Sequence, residues 1–178
     1  LIKAKTSNHI KTLDNTIENL SRLKIEFNEK DVRKFLFSTR FLFQSLDRVQ
    51  IFDNNFKLIG DTDTLDLDPR AFSKRLDIVQ MNDLNTSSDQ KKNKIESKKK
   101  NKLLITFSKL KNYSNSTDFG KPYTYIEESY DQFSLITIRN VLIEDKNFGY
   151  LAITENANDV KAAINERKNF IIRTAIVV

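Results

Sequence analysis

The sequence contains no cysteine, no tryptophan, one histidine, two prolines and three glycines among its 178 residues. Without cysteine, disulfides and thiolate metal sites are excluded, and the redox compartment stays open. The lone His9 excludes multi-histidine zinc sites, and in the first helical segment it reads as a solvated position. Gly60, Gly120 and Gly149 form neither G-x-G-x-x-G nor G-x-x-x-x-G-K-[ST], which rules out the common phosphate-cradling loops. Thirteen phenylalanines stand where tryptophan is missing, so a Phe-rich interior is expected. No motif calls for a cofactor.

Cationic charge is present but concentrated. The net charge is +6, and residues 85–102 alone hold seven Lys against two acids, leaving 23 basic and 22 acidic residues elsewhere. A nucleic-acid-binding module using Lys91 to Lys102 is the alternative reading this stretch invites. It is disfavoured because the run has no aromatic residues on which bases would stack and no arginine for bidentate base readout. A solvated, disordered loop is the simpler account, and AT-rich coding bias also produces Lys and Asn without electrostatic purpose.

The length and a hydrophobic content of 39% fit one domain with one sizeable core. Ile10, Leu13, Ile17 and Leu20 recur at spacings of three and four, a short heptad seam. It fits either a parallel two-stranded contact in a homodimer or a stripe lying on the domain's own sheet. A second helix is expected from near Asn28 or Asp31, turning Val32, Phe35, Leu36, Thr39, Leu42, Phe43 and Leu46 inward. Arg48 to Asp61 reads as a tight β-hairpin: Val49 and Ile51 alternate with polar residues, Asp53-Asn54-Asn55 tolerate a left-handed turn, and Phe56, Leu58 and Gly60 resume the alternation. Asp53 is read as a turn-former rather than an acid catalyst.

The acidic stretch Asp61 to Asp68 superficially resembles a calcium loop, but it lacks the turn glycine and the bidentate Glu of an EF-hand, so no metal site is expected. Pro69 is expected to open a short helix, and Leu103 to Leu110 reads as helix rather than strand. Tyr123 to Ile126, Phe133 to Ile143 and Phe148 to Thr154 read as strands, the last two joined by a turn at Glu144 to Asn147. Asn156 is expected to cap a helix with Asp159 in the capping-box position, and Val160, Ala163, Ile164, Phe170 and Ile171 follow on one helical face.

A helical pattern begins at Leu1 without an initiator Met, and another becomes increasingly apolar from Phe170 to Val178. These ends carry the expectation of a fragment held between two membrane crossings, although the run from Thr174 is far shorter than the roughly twenty residues a span needs. Lys3, Lys5 and Lys11 fit a position near anionic head groups.

Two stretches carry a family likeness. Arg48-Val-Gln-Ile-Phe-Asp-Asn-Asn-Phe-Lys-Leu-Ile-Gly-Asp61 resembles the R-h-x-h-[FY]-D-x-x-x-x-L-I-x-D hairpin, h being apolar, of the extracytoplasmic sensor region of ChvG/ExoS-type sensor histidine kinases of alphaproteobacteria. Ile136 to Val178 resembles that family's last hairpin and exit helix, with Asn156-Ala-Asn-Asp159 where relatives carry a Gly-Gly-Asp-like cap. The resemblance implies an α+β fold with a PAS-like or Cache-like antiparallel sheet flanked by helices. It implies a single periplasmic sensor domain of an inner-membrane protein: entry helix 1–25, core 28–155 and exit helix 156–178. The fragment itself would have no catalytic residue, and the parent protein would be a histidine kinase.

On this reading the domain passes an envelope signal, such as acidity, a small ligand or a periplasmic regulatory protein, through its terminal helices. Ile10, Leu13, Ile17 and Leu20 on the entry helix and Val160, Ile164 and Ile171 on the exit helix are the transmission candidates. A polar swap at Leu13 or Ile17 is expected to alter output without unfolding the domain. If acidity is the signal, Asp61, Asp63, Asp66 and Asp68 are the titrating candidates, through mutual repulsion. No ligand-binding residue is legible. A small enzyme using Asp or Glu acid–base chemistry ranks last, because no carboxylate pair stands in a recognisable motif.

Overall fold

A computed structural model describes residues 1–65, 107–128 and 132–176, with side chains described to residue 170. The expected Pro69 helix, the Lys-rich run and residues 103–106 lie outside them. The described residues form an α+β fold around one five-stranded antiparallel sheet in the order β2-β1-β5-β4-β3. The strands are β1 (Arg48–Asp53), β2 (Leu58–Asp61), β3 (Tyr123–Glu128), β4 (Phe133–Ile143) and β5 (Lys146–Asn156). The helices are α1 (Ile2–Arg22), α2 (Glu29–Thr39, continued by a 3-10 turn at Arg40–Phe43), α3 (residues 107–114) and α4 (Asn158–Ile176).

Strand alternation sorts the side chains onto two faces. One face receives α1 and α2 over an aliphatic core that includes Leu13, Leu20, Val32, Leu36, Ile51, Leu151 and Ile153. The other carries Phe52, Ile136, Ile138, Tyr150 and Ala152 against Leu110 and Tyr113 of α3, with Phe56, Tyr123 and Tyr125 at its margin. The Phe-rich interior is therefore half right: tyrosines share the second face, where hydroxyls can be satisfied. Tyr113 reaches the Lys121 carbonyl at 2.8 Å.

Local chemistry accounts for the boundaries. Asn28 caps α2, its Oδ1 accepting the Asp31 N–H at 2.9 Å. After α1, Lys24 adopts a left-handed φ of 48°. The Lys24 N–H then bonds the Ser21 carbonyl and the Ile25 N–H bonds the Leu20 carbonyl, both at 3.1 Å, so a Schellman motif closes the helix without glycine. In the β1–β2 hairpin Asp53 Oδ1 accepts from Asn55 N–H at 2.8 Å and Lys57 N–H at 2.9 Å, the turn-forming role expected of it. The left-handed residue of that turn is Phe56, at φ 63°, rather than Asp53, Asn54 or Asn55. Its ring is held over Tyr150 at 5.1 Å, so packing overrides the local preference. Glu144 and Asp145 are both left-handed, making a two-residue hairpin of the type whose twist suits its strands. Gly60 is required by close approach, because a Cβ there would lie 2.5 Å from Val32 Cγ1 and 2.8 Å from Leu36 Cδ1.

The entry to α4 differs from the expected cap. Asn156 closes β5, and the buried Ala157 occupies the cap position, its carbonyl accepting the N–H groups of Val160 at 3.0 Å and Lys161 at 3.1 Å. Asn156 Oδ1 instead takes the Asn158 N–H at 2.8 Å, and the Asp159 carboxylate lies 3.7 Å from Lys5. The cap shifts by one residue because burying Ala157 with Leu135 and Val160 outweighs a side-chain cap. No helix of the described residues is long and apolar enough to cross a membrane.

Candidate functional site

The most connected polar cluster lies where α1 crosses the sheet beside the start of α4. Lys5 and His9 are one turn apart on α1 and so project from the same side of it. His9 is completely buried. Its Nδ1 lies 2.8 Å from Thr137 Oγ1 on β4, and its Nε2 lies 3.0 Å from Glu155 Oε2 on β5. Lys5 Nζ donates to Glu155 Oε1 at 2.5 Å and to the Asn156 carbonyl at 3.3 Å, with Asp159 of α4 at 3.7 Å. Thr137 Oγ1 lies 2.9 Å from Thr124 Oγ1 on β3. One cluster thus ties α1 to three strands and to the first turn of α4.

The direction of each bond follows from the carboxylate, which accepts only. Neutral His9 therefore carries its proton on Nε2, donating to Glu155, and its Nδ1 accepts the Thr137 hydroxyl proton. Thr124 must then donate to Thr137. Burial lowers the His9 pKa below its ordinary 6.5; the hydrogen bond and attraction of Glu155 oppose the shift, and the Lys5 charge adds to it. Lys5 is raised chiefly by its hydrogen bond to Glu155, against the effect of burial and with further help from Asp159. The solvated reading of His9 is corrected here: the imidazole lies on the buried stripe His9, Leu13, Thr16 and Leu20.

A second charged cluster forms on the other face of the sheet. Arg48 holds the buried Asp61 through two nitrogens, Nε reaching Oδ1 at 3.0 Å, and the same Nε lies 3.4 Å from Asp63. Burial works against the Arg48 charge, but the hydrogen bond and attraction of Asp61 outweigh it and raise its pKa. Asp61 also caps the 3-10 turn Thr62–Thr64 by accepting the Asp63 N–H at 3.1 Å. Asp61 and Asp63 thus share a guanidinium that offsets the repulsion supposed between them. Asp66 and Asp68 lie outside the described residues.

The transmission candidates divide. Leu13 and Leu20 are fully buried in the domain's own core, Ile17 packs against it, and Ile10 is half-buried. Of the two readings of the seam, the stripe against the domain's own sheet is the one seen. A polar swap at Leu13 therefore strikes the core, and the expectation that it leaves the fold intact is corrected. On α4, Val160 is buried while Ile164 is half exposed, and the Ile171 side chain lies outside the described set. These residues do not converge on a pocket. An open groove of about 530 Å³ runs along α1 past Asp14, Ile17, Arg139 and Leu142, and the Arg139 guanidinium is already paired with Asp14. No group of three or more His, Asp or Glu among the described residues is arranged to hold a metal ion.

Sequence reasoning missed both His9 and Glu155 as partners. One signal was available: His9 sits one turn before Leu13, continuing the apolar stripe toward the first residue. No known protein-family model matches the sequence, and comparison with curated proteins finds no match.

Proposed function

We propose that this chain is the extracytoplasmic sensing domain of a transmembrane sensor histidine kinase of the ChvG/ExoS type, PAS-like or Cache-like in fold, acting as a periplasmic domain of an inner-membrane protein. It transmits an envelope signal and performs no chemistry of its own. The observation that carries this reading is the clamp between the two terminal helices: Glu155 holds Lys5 and His9 of α1, and the same Lys5 faces Asp159 at the root of α4. Any change that alters how α1 sits on β5 is felt at the first turn of α4. The antiparallel sheet covered by α1 and the hairpin from Arg48 to Asp61 support it further.

Transmission then belongs to the two helices and the clamp, with a homodimer bringing two exit helices together and either a periplasmic regulator or a small ligand biasing the clamp. A ligand acts here only by binding two arrangements of the helices unequally. The test is the reading frame around the chain and its output. Flanking apolar spans and a downstream kinase are expected, and substitution of the half-exposed Ile164 by Asn in that protein should change autophosphorylation at normal membrane level. Absence of spans and kinase rejects the reading.

A further inference from the structure

The buried imidazole bonds β4 and β5 directly, and Thr137 and Lys5 extend the cluster to β3 and α4, yet signal transmission through packed helices needs no titratable group there. The rest of the buried α1 stripe is Leu13, Leu20 and Thr16, whose hydroxyl bonds the Thr12 carbonyl of the same helix, so none of it titrates. His9 instead has both ring nitrogens engaged by the sheet, Nδ1 with Thr137 and Nε2 with Glu155.

We propose that the N-terminal half of α1 is a proton-released latch: protonation of His9 favours a state in which this half of the helix lifts from β4, β5 and the root of α4. The charged and titratable groups facing His9 are few. Lys5 stands on its own helix, Glu155 comes from β5, and Asp159 of α4 acts through Lys5. From β4 comes Thr137, while Arg139 is occupied by Asp14 of α1. From β3 comes Thr124, and Glu128 at the end of that strand is paired with Lys161 of α4.

In the seated state a second proton on the ring would sit on Nδ1, turning an acceptor into a donor. Thr137 Oγ1 would then accept from His9, and the proton it had given to Nδ1 loses its acceptor: it either goes unpartnered or turns toward Thr124 at the expense of the bond Thr124 donates. A second cation is also added about one turn from Lys5 in a water-excluded place. Glu155 cannot fully compensate, because one of its oxygens already holds Lys5. In the lifted state water solvates the imidazolium and none of these conflicts arises. The state that binds the proton more tightly gains population on acidification, so the latch opens as pH falls. The lowered His9 pKa agrees with that sign.

This deepens the proposed transmission role and rests on it only for the purpose of the motion; the latch itself is a property of the chain. His9 is the sole histidine, so its imidazole signals in a proton NMR titration of the 178-residue chain need no assignment. The expected midpoint lies below the ordinary value of about 6.5. Across the same midpoint, amide exchange protection should fall about tenfold in the first two turns of α1 and at Ala157 to Lys161, while Leu20, Ile51 and Leu151 remain protected. Glu155→Gln should move the midpoint down and Lys5→Met should move it up. A midpoint at or above 6.5, unchanged protection through it, or loss of protection in the sheet at the same pH would each overturn the latch. These readouts are independent of the reading frame, so a failed latch leaves the sensor reading standing, and a failed sensor reading leaves the titration intact.

Discussion

Two charged clusters lie on opposite faces of the same end of the sheet, at neighbouring residues of β5. Thr154 is paired in register with Arg48, whose side chain clasps Asp61, whereas Glu155 turns to the other face and meets Lys5 and His9. The first cluster joins strands thirteen residues apart and is built on a guanidinium that never titrates in the accessible range. The second joins residues about 150 apart and contains an imidazole, the side chain whose ordinary pKa lies nearest neutrality, lowered here by burial. One is a fixed brace within a hairpin; the other is a conditional joint between the chain's terminal helices. If the latch operates, burial of similar charges serves rigidity in one place and responsiveness in the other.

The comparison breaks most visibly at Asp61. Its carboxylate is almost wholly buried, so Asp61→Ala leaves Arg48 with only the more exposed Asp63 and removes the cap of the 3-10 turn. Urea unfolding should report a loss of about 3 kcal/mol, in the range for breaking one side of a buried pair. Adding Arg48→Met to Asp61→Ala should recover part of that loss, since the uncompensated charge goes with it. A double variant no better than the single one would show that the hairpin needs the ion pair itself.

At the other cluster the effect of Glu155→Gln should be smaller, about 1–2 kcal/mol, because the carboxylate is partly solvated and an amide oxygen still accepts from His9. The cost comes mainly from the charge-assisted bond to Lys5. Equal losses for Asp61→Ala and Glu155→Gln would erase the distinction between brace and joint.

The two clusters also differ in how far they could be read from the sequence. The hairpin from Arg48 to Asp61 was legible because its signals are local: alternating Val49 and Ile51, the turn at Asp53, and resumption at Leu58. The strands from Phe133 to Ile143 and around Phe148 to Thr154 were legible for the same reason. The His9 joint was not, since its partners Thr137, Glu155 and Thr124 are brought together only by the strand order β2-β1-β5-β4-β3 and the crossing of α1. The cap at Asn156 was misread by one position because a buried alanine contact, invisible to local capping rules, decides where α4 begins. Ile10, Leu13, Ile17 and Leu20 showed the correct periodicity without showing what they pack against.

The sign of the pH response separates the clusters further. The His9 pKa is lowered in the fold, so the unfolded chain binds a proton more readily than the folded one as pH falls below about 6.5. The stability tied to neutral His9 is fully present above that value and is lost as pH falls toward the lowered folded pKa. The slope of stability against pH between 7 and 5 should therefore be steeper in the native sequence than in His9→Gln. Comparison of slopes, rather than levels, removes the packing cost of the substitution. An unchanged slope would mean that the joint does not titrate in that window. The same slope should persist in Asp61→Ala, because Arg48 and Asp61 lie on the other face.

The smallest effect is expected at a third pair, and it serves as the measure for the other two. Arg139 of β4 meets Asp14 of α1 about two and a half turns beyond Lys5 and nearly one and a half beyond His9, with Asp14 about half exposed. It lies on the same helix and on the same face of the sheet as the His9 joint, yet water reaches both partners. Attraction between such groups is offset by hydration and by the entropy of holding two mobile side chains. Asp14→Asn should therefore change stability by no more than about 0.5 kcal/mol, with any change fading as salt is raised. If it instead matches Glu155→Gln, the grip of α1 on the sheet is spread along the helix, and the joint at His9 loses its special standing. A near-neutral result places that grip where the side chains are buried, at His9 and the apolar residues Leu13 and Leu20.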